Sequence, residues 1–176
     1  MSCRILLMGR SGCGKTSLIR CIHEKTKTPD KQINSCSNPD EHGKSGPDGV
    51  SKLLAVNKTQ AAEYHSDFID VPGEYLEVRS FYRALVMLTC EACAIVLVQA
   101  ADDNESLYPS GLARTFDKPV VGVVSKTDLV PSDPNRAETI LKEAGASRIF
   151  FTSALTTAGT DGLTEYLETL RQPGVK

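Results

Sequence analysis

The sequence contains Gly9-Arg10-Ser11-Gly12-Cys13-Gly14-Lys15-Thr16 directly after the apolar run Arg4-Ile5-Leu6-Leu7-Met8. A buried strand that leads into a glycine-rich turn and then a helix is the setting of a phosphate-binding P-loop. A polyphosphate is wrapped by backbone amides, and side chains at the tightest points would block its approach. A helix beginning at Gly14 would point its positive end at the bound anion. The pattern therefore predicts a phosphate-binding site at this turn.

Different residues of the turn are expected to bind different parts of a nucleoside triphosphate and its metal ion. Lys15 is expected to bridge the β- and γ-phosphates and so to be a catalytic residue. Thr16 is expected to offer its hydroxyl to Mg²⁺, which makes it the first predicted metal ligand. The predicted nucleotide contacts of the turn are Gly9, Gly12, Cys13, Gly14, Lys15, Thr16 and Ser17.

Length and charge limit the function classes. With 176 residues, 40% of them hydrophobic, the chain is expected to form one domain over residues 1–176. The formal net charge is −2 and no lysine or arginine cluster is visible, so neither nucleic acid nor a membrane surface is an expected partner. The first strand begins at residue 4, which leaves no room for a signal peptide, and a cytoplasmic location is expected.

The chain has six cysteines, and their spacing is not that of a metal site. Cys90 and Cys93 form a lone CxxC between a helical pattern and a strand, without a second pair or nearby histidines. We interpret them as small buried residues, and we expect the cysteines to be reduced, as in other cytoplasmic proteins.

Short apolar runs alternate with helical patterns along the chain. The runs, expected to be strands covered on both faces, are Ile5–Met8, Ala94–Val98, Val120–Val124 and Ile149–Phe151. Apolar residues with helical spacing cover about 81–88, 137–144 and 163–170. This alternation predicts an α/β fold with a single doubly wound, mostly parallel sheet, whose ligands lie at the carboxyl ends of the strands. Between about 26 and 58 the chain has no periodicity and many polar residues, which predicts a long flexible loop.

A second constellation, Asp70-Val71-Pro72-Gly73-Glu74, follows the short strand Phe68-Ile69. An aspartate at a strand end that faces the P-loop can hold a water of Mg²⁺, so Asp70 is a predicted metal ligand. Gly73 would let a backbone N–H reach the γ-phosphate, and Glu74 stands where an attacking water would be oriented. We therefore count Gly73 and Glu74 among the catalytic candidates.

Two further motifs follow the later strands and predict a purine site. In Ser125-Lys126-Thr127-Asp128, the Asp128 carboxylate can accept hydrogen bonds from the N1 and N2 edge of guanine, while the Lys126 stem covers the ring. Adenine lacks this donor pair, which would leave a buried acceptor unpaired. We expect Ser125 to be unable to tie the base site back to the P-loop as an asparagine amide would. After the last strand, Thr152-Ser153-Ala154 offers a backbone N–H to the guanine O6, which makes Ser153 and Ala154 predicted contacts.

A threonine that closes over Mg²⁺ and the γ-phosphate is also needed. The candidates are Thr26, Thr28 and Thr59. Thr59 is favoured, as a metal ligand and catalytic residue, because it precedes the segment Ala61–His65, which we expect to pair with Phe68-Ile69. The long loop would then resemble a first switch that folds over the nucleotide.

Together these motifs resemble the Ras-like GTPases from Arg4 to Leu170. More narrowly, the chain is similar to the ethanolamine- and propanediol-utilisation GTPases of the EutP/PduV type, which are associated with bacterial microcompartments. The stretches that carry this resemblance are Lys58-Thr59-Gln60-Ala61, Asp70-Val71-Pro72-Gly73-Glu74-Tyr75, Tyr82-Arg83-Ala84-Leu85 and Ser125-Lys126-Thr127-Asp128-Leu129. The resemblance implies a Ras-like architecture, Mg²⁺-dependent binding of GTP and GDP, and shell or enzyme proteins of the microcompartment as partners.

The sequence thus predicts a GTPase, and Glu74 predicts that its intrinsic rate of GTP hydrolysis is slow. Glu74 replaces the usual glutamine, and an ionised carboxylate beside the γ-phosphate is repelled by it. Two alternatives stay open: an ATP-using P-loop phosphotransferase that acts on a small metabolite, for which no arginine-rich lid is visible, and a non-catalytic, nucleotide-stabilised adaptor.

Overall fold

The computed structural model describes residues 3–26 and 61–172. A six-stranded sheet lies at its centre in the order β2-β3-β1-β4-β5-β6. The strands are β1 (Arg4–Met8), β2 (Glu63–Tyr64), β3 (Phe68–Asp70), β4 (Ala92–Ala100), β5 (Val120–Ser125) and β6 (Arg148–Phe151). Neighbouring strands from β3 to β6 are parallel, and β2 pairs with β3 in the antiparallel direction. The predicted mostly parallel sheet and the predicted pairing of Ala61–His65 with Phe68-Ile69 are confirmed.

Helices connect the strands and cover both faces of the sheet. They are α1 (Lys15–Thr26), α2 (Glu74–Glu77), α3 (Tyr82–Cys90), α4 (Pro134–Glu143) and α5 (Thr160–Arg171), with short 3-10 turns at Arg79–Phe81 and Leu112–Thr115. The three predicted helical patterns correspond to α3, α4 and α5. Helix α1 begins at Lys15 and not at Gly14, because Gly14 has a φ of 95°, which a helix does not accommodate.

Each face of the sheet packs into its own apolar cluster. One cluster joins β1 and β4 to Leu85, Ile140 and Leu141 of α3 and α4. The other joins the opposite sides of these strands to α1 and α5, for example through Leu18 and Leu163. This arrangement confirms the doubly wound α/β fold. The run Ile149–Phe151, predicted to be covered on both faces, is instead the edge strand β6, where Phe151 is 42% exposed.

The cysteines differ from the sequence expectation. Cys90 is exposed, because it lies in the last turn of α3 on the side that faces solvent. Cys93 on β4 forms a disulfide with Cys3, which lies just before β1, and their Cα atoms are 5.7 Å apart. The interpretation of Cys90 and Cys93 as small buried residues is therefore wrong for Cys90, while Cys93 is half-buried. The disulfide also differs from the expectation that the cysteines are reduced.

Some predictions concern residues that the structure does not describe. Thr28, Thr59 and nearly all of the predicted loop at 26–58 lie outside the described residues. The single-domain assignment of residues 1–176 stays a prediction. None of the described helices is long and apolar enough to cross a membrane.

A buried tyrosine ties together the strands beneath the P-loop. The Tyr108 hydroxyl donates to the carbonyl oxygens of Val98 at 2.8 Å and Met8 at 3.2 Å. Burial raises the pKa of Tyr108 well above its ordinary value, so the hydroxyl keeps its proton. The carboxyl ends of β1 and β4 are thus held at the point where the P-loop begins.

We expect Tyr108→Phe to lower the free energy of unfolding by about 1–3 kcal/mol, because two buried carbonyl oxygens lose a donor while the ring remains. Urea titration followed by circular dichroism measures this change. Tyr166→Phe is the matched control, since no hydrogen bond of the Tyr166 hydroxyl occurs among the described residues, and it should cost less than about 0.5 kcal/mol. Equal losses in the two variants would contradict the bridging role of Tyr108.

Candidate functional site

The P-loop is curled by donors that bind its carbonyl oxygens. The buried Lys15 ammonium donates to the carbonyl oxygens of Gly9 at 2.9 Å and Arg10 at 3.0 Å. The Cys13 carbonyl accepts a 2.6 Å hydrogen bond from the Ser125 hydroxyl. The N–H groups of Gly12, Gly14 and Lys15 donate to no other described residue. Because these carbonyl oxygens already accept hydrogen bonds, the free backbone N–H groups of the loop are available to bind an anion.

Two glycines are required here by close approaches of the backbone. A Cβ on Gly9 would lie 2.5 Å from the Val98 carbonyl oxygen and 2.6 Å from the Cys13 Sγ. A Cβ on Gly73 would lie 2.2 Å from the backbone nitrogen of Ser11. The turn after β3 therefore rests directly on the P-loop, and any larger residue at position 73 would push the two apart.

We call the cavity in front of the Lys15 side chain cavity A, and its volume is about 330 Å³. Its lining residues are Ser11, Gly12, Lys15, Thr16, Arg20, Ala61, Glu63, Asp70, Val71, Pro72, Gly73 and Glu74. Within it the Thr16 hydroxyl donates to Asp70 Oδ2 at 2.6 Å. The other oxygen of this carboxylate, Asp70 Oδ1, is buried and has no hydrogen-bond partner among the residues that the structure describes. An orphaned buried carboxylate oxygen beside a hydroxyl is a donor set suited to a hard divalent cation.

We call the cavity beyond the end of β5 cavity B, and its volume is about 370 Å³. Its lining residues are Gly12, Gly14, Ser17, Leu18, Ser125, Lys126, Asp128, Leu129, Thr152, Ala154 and Leu155. The half-buried Asp128 carboxylate forms no hydrogen bond or ion pair with any described residue. Cavity B therefore contains an acceptor that is open to a ligand. Gly12 is common to both cavities, so they adjoin at the P-loop.

Two cations beside the cavities are held by the acidic segment after β4. The Lys126 ammonium lies 3.0 Å from a carboxylate oxygen of Asp102, and this contact leaves its stem along cavity B. The Arg10 guanidinium contacts Asp103 at 3.2 Å and Glu105 at 2.7 Å. These ion pairs are partly exposed and contribute little stability, but they fix where the two side chains lie.

The loop after β6 is shaped by its own hydrogen bonds. Thr156 donates its backbone N–H to the Ser153 hydroxyl at 3.0 Å, and the Ser153 N–H donates to the Ala158 carbonyl at 3.1 Å. The Ala154 N–H has no such partner among the described residues, and Ala154 lines cavity B. Ser153 itself is 1% exposed and lines neither cavity. Ser153 therefore stabilises the conformation of the loop through hydrogen bonds and does not line a cavity.

The structure brings together most of the residues that the sequence singled out. Lining cavity A are Lys15, Thr16, Asp70, Gly73 and Glu74, and lining cavity B are Gly14, Ser17, Ser125, Lys126, Asp128 and Ala154, with Gly12 in both. Gly9, Cys13 and Ser153 lie behind these linings. Cys13 is buried, and burial raises the pKa of its thiol, so it stays protonated at neutral pH.

One expectation about this site is wrong. Contrary to the expectation from the sequence, Ser125 does tie the base site to the P-loop, because its hydroxyl donates to the Cys13 carbonyl at 2.6 Å. The short side chain suffices because the end of β5 passes directly behind the loop, where the Ser125 Oγ also lies 3.9 Å from the position of a Cβ on Gly14.

Sequence reasoning missed several lining residues. Arg20 stands four residues after Thr16, and this spacing on α1 could have placed both on one face of the helix. Leu155 directly follows the tripeptide Thr152-Ser153-Ala154. Its place next to a predicted contact could have identified it as a lining residue of cavity B. Glu63 lies on β2 and gave no signal of its own.

Comparison with known proteins places this geometry in a family. Residues 49–169 match the PduV-EutP family, described as "Ethanolamine utilisation - propanediol utilisation". The propanediol utilization protein PduV of Citrobacter freundii is 37% identical over 165 residues, which are 93% of this chain and 92% of that protein. A protein of Salmonella typhimurium named "Probable acetate kinase EutP" is 34% identical over 145 residues, 81% of this chain and 74% of that protein.

A solved structure has a similar fold. It is the translation elongation factor SelB of Methanococcus maripaludis in complex with the GTP analogue GppNHp, with a TM-score of 0.56 and 18% sequence identity. The match covers 100% of this chain and 36% of that one, so it supports the Ras-like GTPase architecture and nothing about activity. The extent of the family match and the 37% identity to the Citrobacter protein show that this chain belongs to the PduV-EutP family of P-loop proteins with a GTPase-like fold.

Proposed function

We propose that this protein binds GTP with Mg²⁺ and hydrolyses it slowly. The observation that carries the proposal is the unpaired Asp128 carboxylate in cavity B, adjoining through Gly12 the cavity that contains Lys15, Thr16 and Asp70. One cavity offers an acceptor for a base edge, and the other offers cations and amides for phosphates. A purine nucleoside triphosphate has these two ends.

In this proposal, the P-loop amides and Lys15 bind the phosphates in cavity A. The Gly73 N–H reaches the γ-phosphate because its turn rests on Ser11. Thr16 and Asp70 would hold Mg²⁺, and the buried, unpartnered Asp70 Oδ1 supports this assignment. Thr59, outside the described residues, is proposed as a further ligand. When bound, the cation neutralises charge that develops on the phosphates during transfer.

Cavity B is proposed to bind the guanine base. Asp128 accepts from N1–H and the N2 amino group, the Lys126 stem covers the ring, and the Ala154 N–H donates to O6. Ser125 contributes by holding the P-loop against the end of β5, so that base and phosphates keep a fixed separation.

The chemistry of Glu74 supports slow turnover. Its carboxylate lines cavity A, where a neutral glutamine would donate to the γ-phosphate and orient water. An ionised carboxylate accepts but cannot donate, and it is repelled by the phosphate. Slow hydrolysis suits a switch or accessory role in ethanolamine or propanediol utilisation. Shell or enzyme proteins of a bacterial microcompartment are the partners that we propose.

A second candidate function is phosphoryl transfer from a nucleoside triphosphate, including ATP, to a small metabolite. Two observations favour it: Arg20 lies in cavity A, and the Salmonella relative is named as a probable acetate kinase. The nucleotide site is the same in both proposals, and they differ in what accepts the phosphoryl group.

Asp128→Asn tests the base site. We expect the affinity for GDP to fall about 10- to 100-fold and that for XDP to rise, because the amide offers a donor where guanine also has one. Competition binding with GDP, XDP and ADP measures the change, and the exposed Asp117→Asn serves as the control. GDP binding that is unchanged in Asp128→Asn would overturn the assignment of guanine to cavity B.

Ser125→Ala tests the contact between β5 and the P-loop. Loss of a buried donor to the Cys13 carbonyl should weaken GDP binding about 5- to 10-fold, as measured by calorimetry. Ser147→Ala removes a similar 2.8 Å hydroxyl bond to the Val120 carbonyl, at the other end of β5, and should leave the affinity unchanged. A matching loss in both variants would point to general destabilisation of the strand.

Asp70→Asn tests the proposed metal ligands. The amide keeps an acceptor for Thr16 but loses the charge, so the gain in GTP affinity on adding Mg²⁺ should shrink about tenfold or more. GTP titrations with Mg²⁺ and with EDTA give this ratio for the wild type and the variant. The exposed Asp161→Asn is the control. If Asp70→Asn keeps the wild-type ratio, Asp70 is not a ligand.

A further inference from the structure

Helix α3 presents an apolar stripe to solvent. Val86 and Met87 are 44% and 72% exposed, and the Cys90 side chain is exposed as well. Val86 and Cys90 are four residues apart and Met87 lies between them, so the three share one side of the helix. Leu85, on the opposite side, is fully buried in the core. The exposed side of α3 is therefore a candidate contact surface for another protein.

A charged residue lies at each end of this stripe. Arg83 comes four residues before Met87, and Glu91, the C-cap residue of α3, comes four residues after it. Both side chains are exposed, and Arg83 forms no hydrogen bond or ion pair with any described residue. Desolvation and the neighbouring Glu91 carboxylate raise the pKa of Tyr64, which shows that this end of α3 lies beside β2. The stripe thus has opposite charges at equal spacing on either side of Met87.

We propose that the stripe is the contact surface of a homodimer, in which the α3 helices of two copies pack antiparallel about a twofold axis beside Met87. Met87 of one copy then packs against Met87 of the other, and Arg83 of each copy faces Glu91 of the other. A twofold interface needs a surface that is complementary to itself, and this charge pattern has that property. Parallel packing would instead bring Arg83 next to Arg83, which is repulsive.

The charges also argue against the other possible occupants of this face. An anionic membrane surface would attract Arg83 but repel Glu91 at the other end of the same stripe. A strongly charged partner of either sign meets the same conflict. The stripe extends over about two helical turns, so the buried area is small, and we expect a weak dimer with a Kd of about 10–100 μM.

The test measures self-association of the full chain by sedimentation velocity from about 5 to 500 μM, which brackets a dimer of this strength. A Cys90→Ser background excludes dimers that are linked through this exposed thiol, and we expect it to dimerise. Arg83→Glu and Glu91→Arg should each raise the Kd about tenfold or more, because each places like charges opposite one another. The double variant exchanges the two charges and should return the Kd to within about threefold of the starting value.

Two further variants complete the set. Met87→Asp should leave the chain monomeric, because two carboxylates would meet at the axis. Glu165→Arg, a charge reversal at an exposed position of α5, is the matched control and should keep the starting Kd. All of these side chains are exposed, and circular dichroism checks that each variant is folded.

Three results would overturn the inference. The first is a chain that stays monomeric over the whole concentration range, which would leave the face to an unlike partner. The second is a double variant no better than either single variant, which would exclude the antiparallel pairing. The third is an equal loss in Glu165→Arg, which would point to an effect of net charge. No measurement involves a nucleotide, so the dimer can fail while the proposed function stands, and the reverse.

Discussion

The site depends on holding the carbonyl oxygens of the P-loop away from its cavities. Met8 accepts from Tyr108, Gly9 and Arg10 accept from Lys15, and Cys13 accepts from Ser125. Each of these donors comes from a different part of the fold: the segment after β4, the start of α1, and the end of β5. Buried carbonyls without partners are costly, so each of the three donors stabilises this conformation of the loop. The free amides on its other side are a consequence of that constraint.

The parallel sheet is what brings these donors together. The carboxyl ends of β1, β3, β4 and β5 meet at one edge, so that short loops from distant parts of the chain converge there. The acidic segment after β4 fixes two cationic side chains on either side of the P-loop. Asp102 forms an ion pair with Lys126, and Asp103 forms one with Arg10. These contacts are worth little energy, but they restrict two long cationic side chains that would otherwise sample many rotamers.

Most of the fold could be predicted from the sequence because its signals are local. The apolar runs of β1, β4 and β5 and the glycines of the P-loop define their own surroundings. Ser125 was misjudged because a hydroxyl reaches the Cys13 carbonyl only if the strand end passes within 2.6 Å of it, and this closeness is set by long-range packing. Cys3 and Cys93 are 90 residues apart and gave no local signal. Arg20 fits the polar face of an amphipathic helix, and only the position of β2 and of the turn after β3 reveals that it borders a cavity.

The division into two cavities separates two kinds of specificity. Gly12 is the only residue that lines both, among the described part of the chain, and glycine has no side chain through which one cavity could alter the other. In the proposed function, Asp128 in cavity B would select the purine, while the lining of cavity A beyond Lys15 would face the group that attacks the γ-phosphate. In a P-loop fold the catalytic power resides mostly in positioning and charge, which serve water and a carboxylate alike. In the proposed function, a change of Glu74 in cavity A would therefore alter how the γ-phosphate is attacked without changing the lining of cavity B.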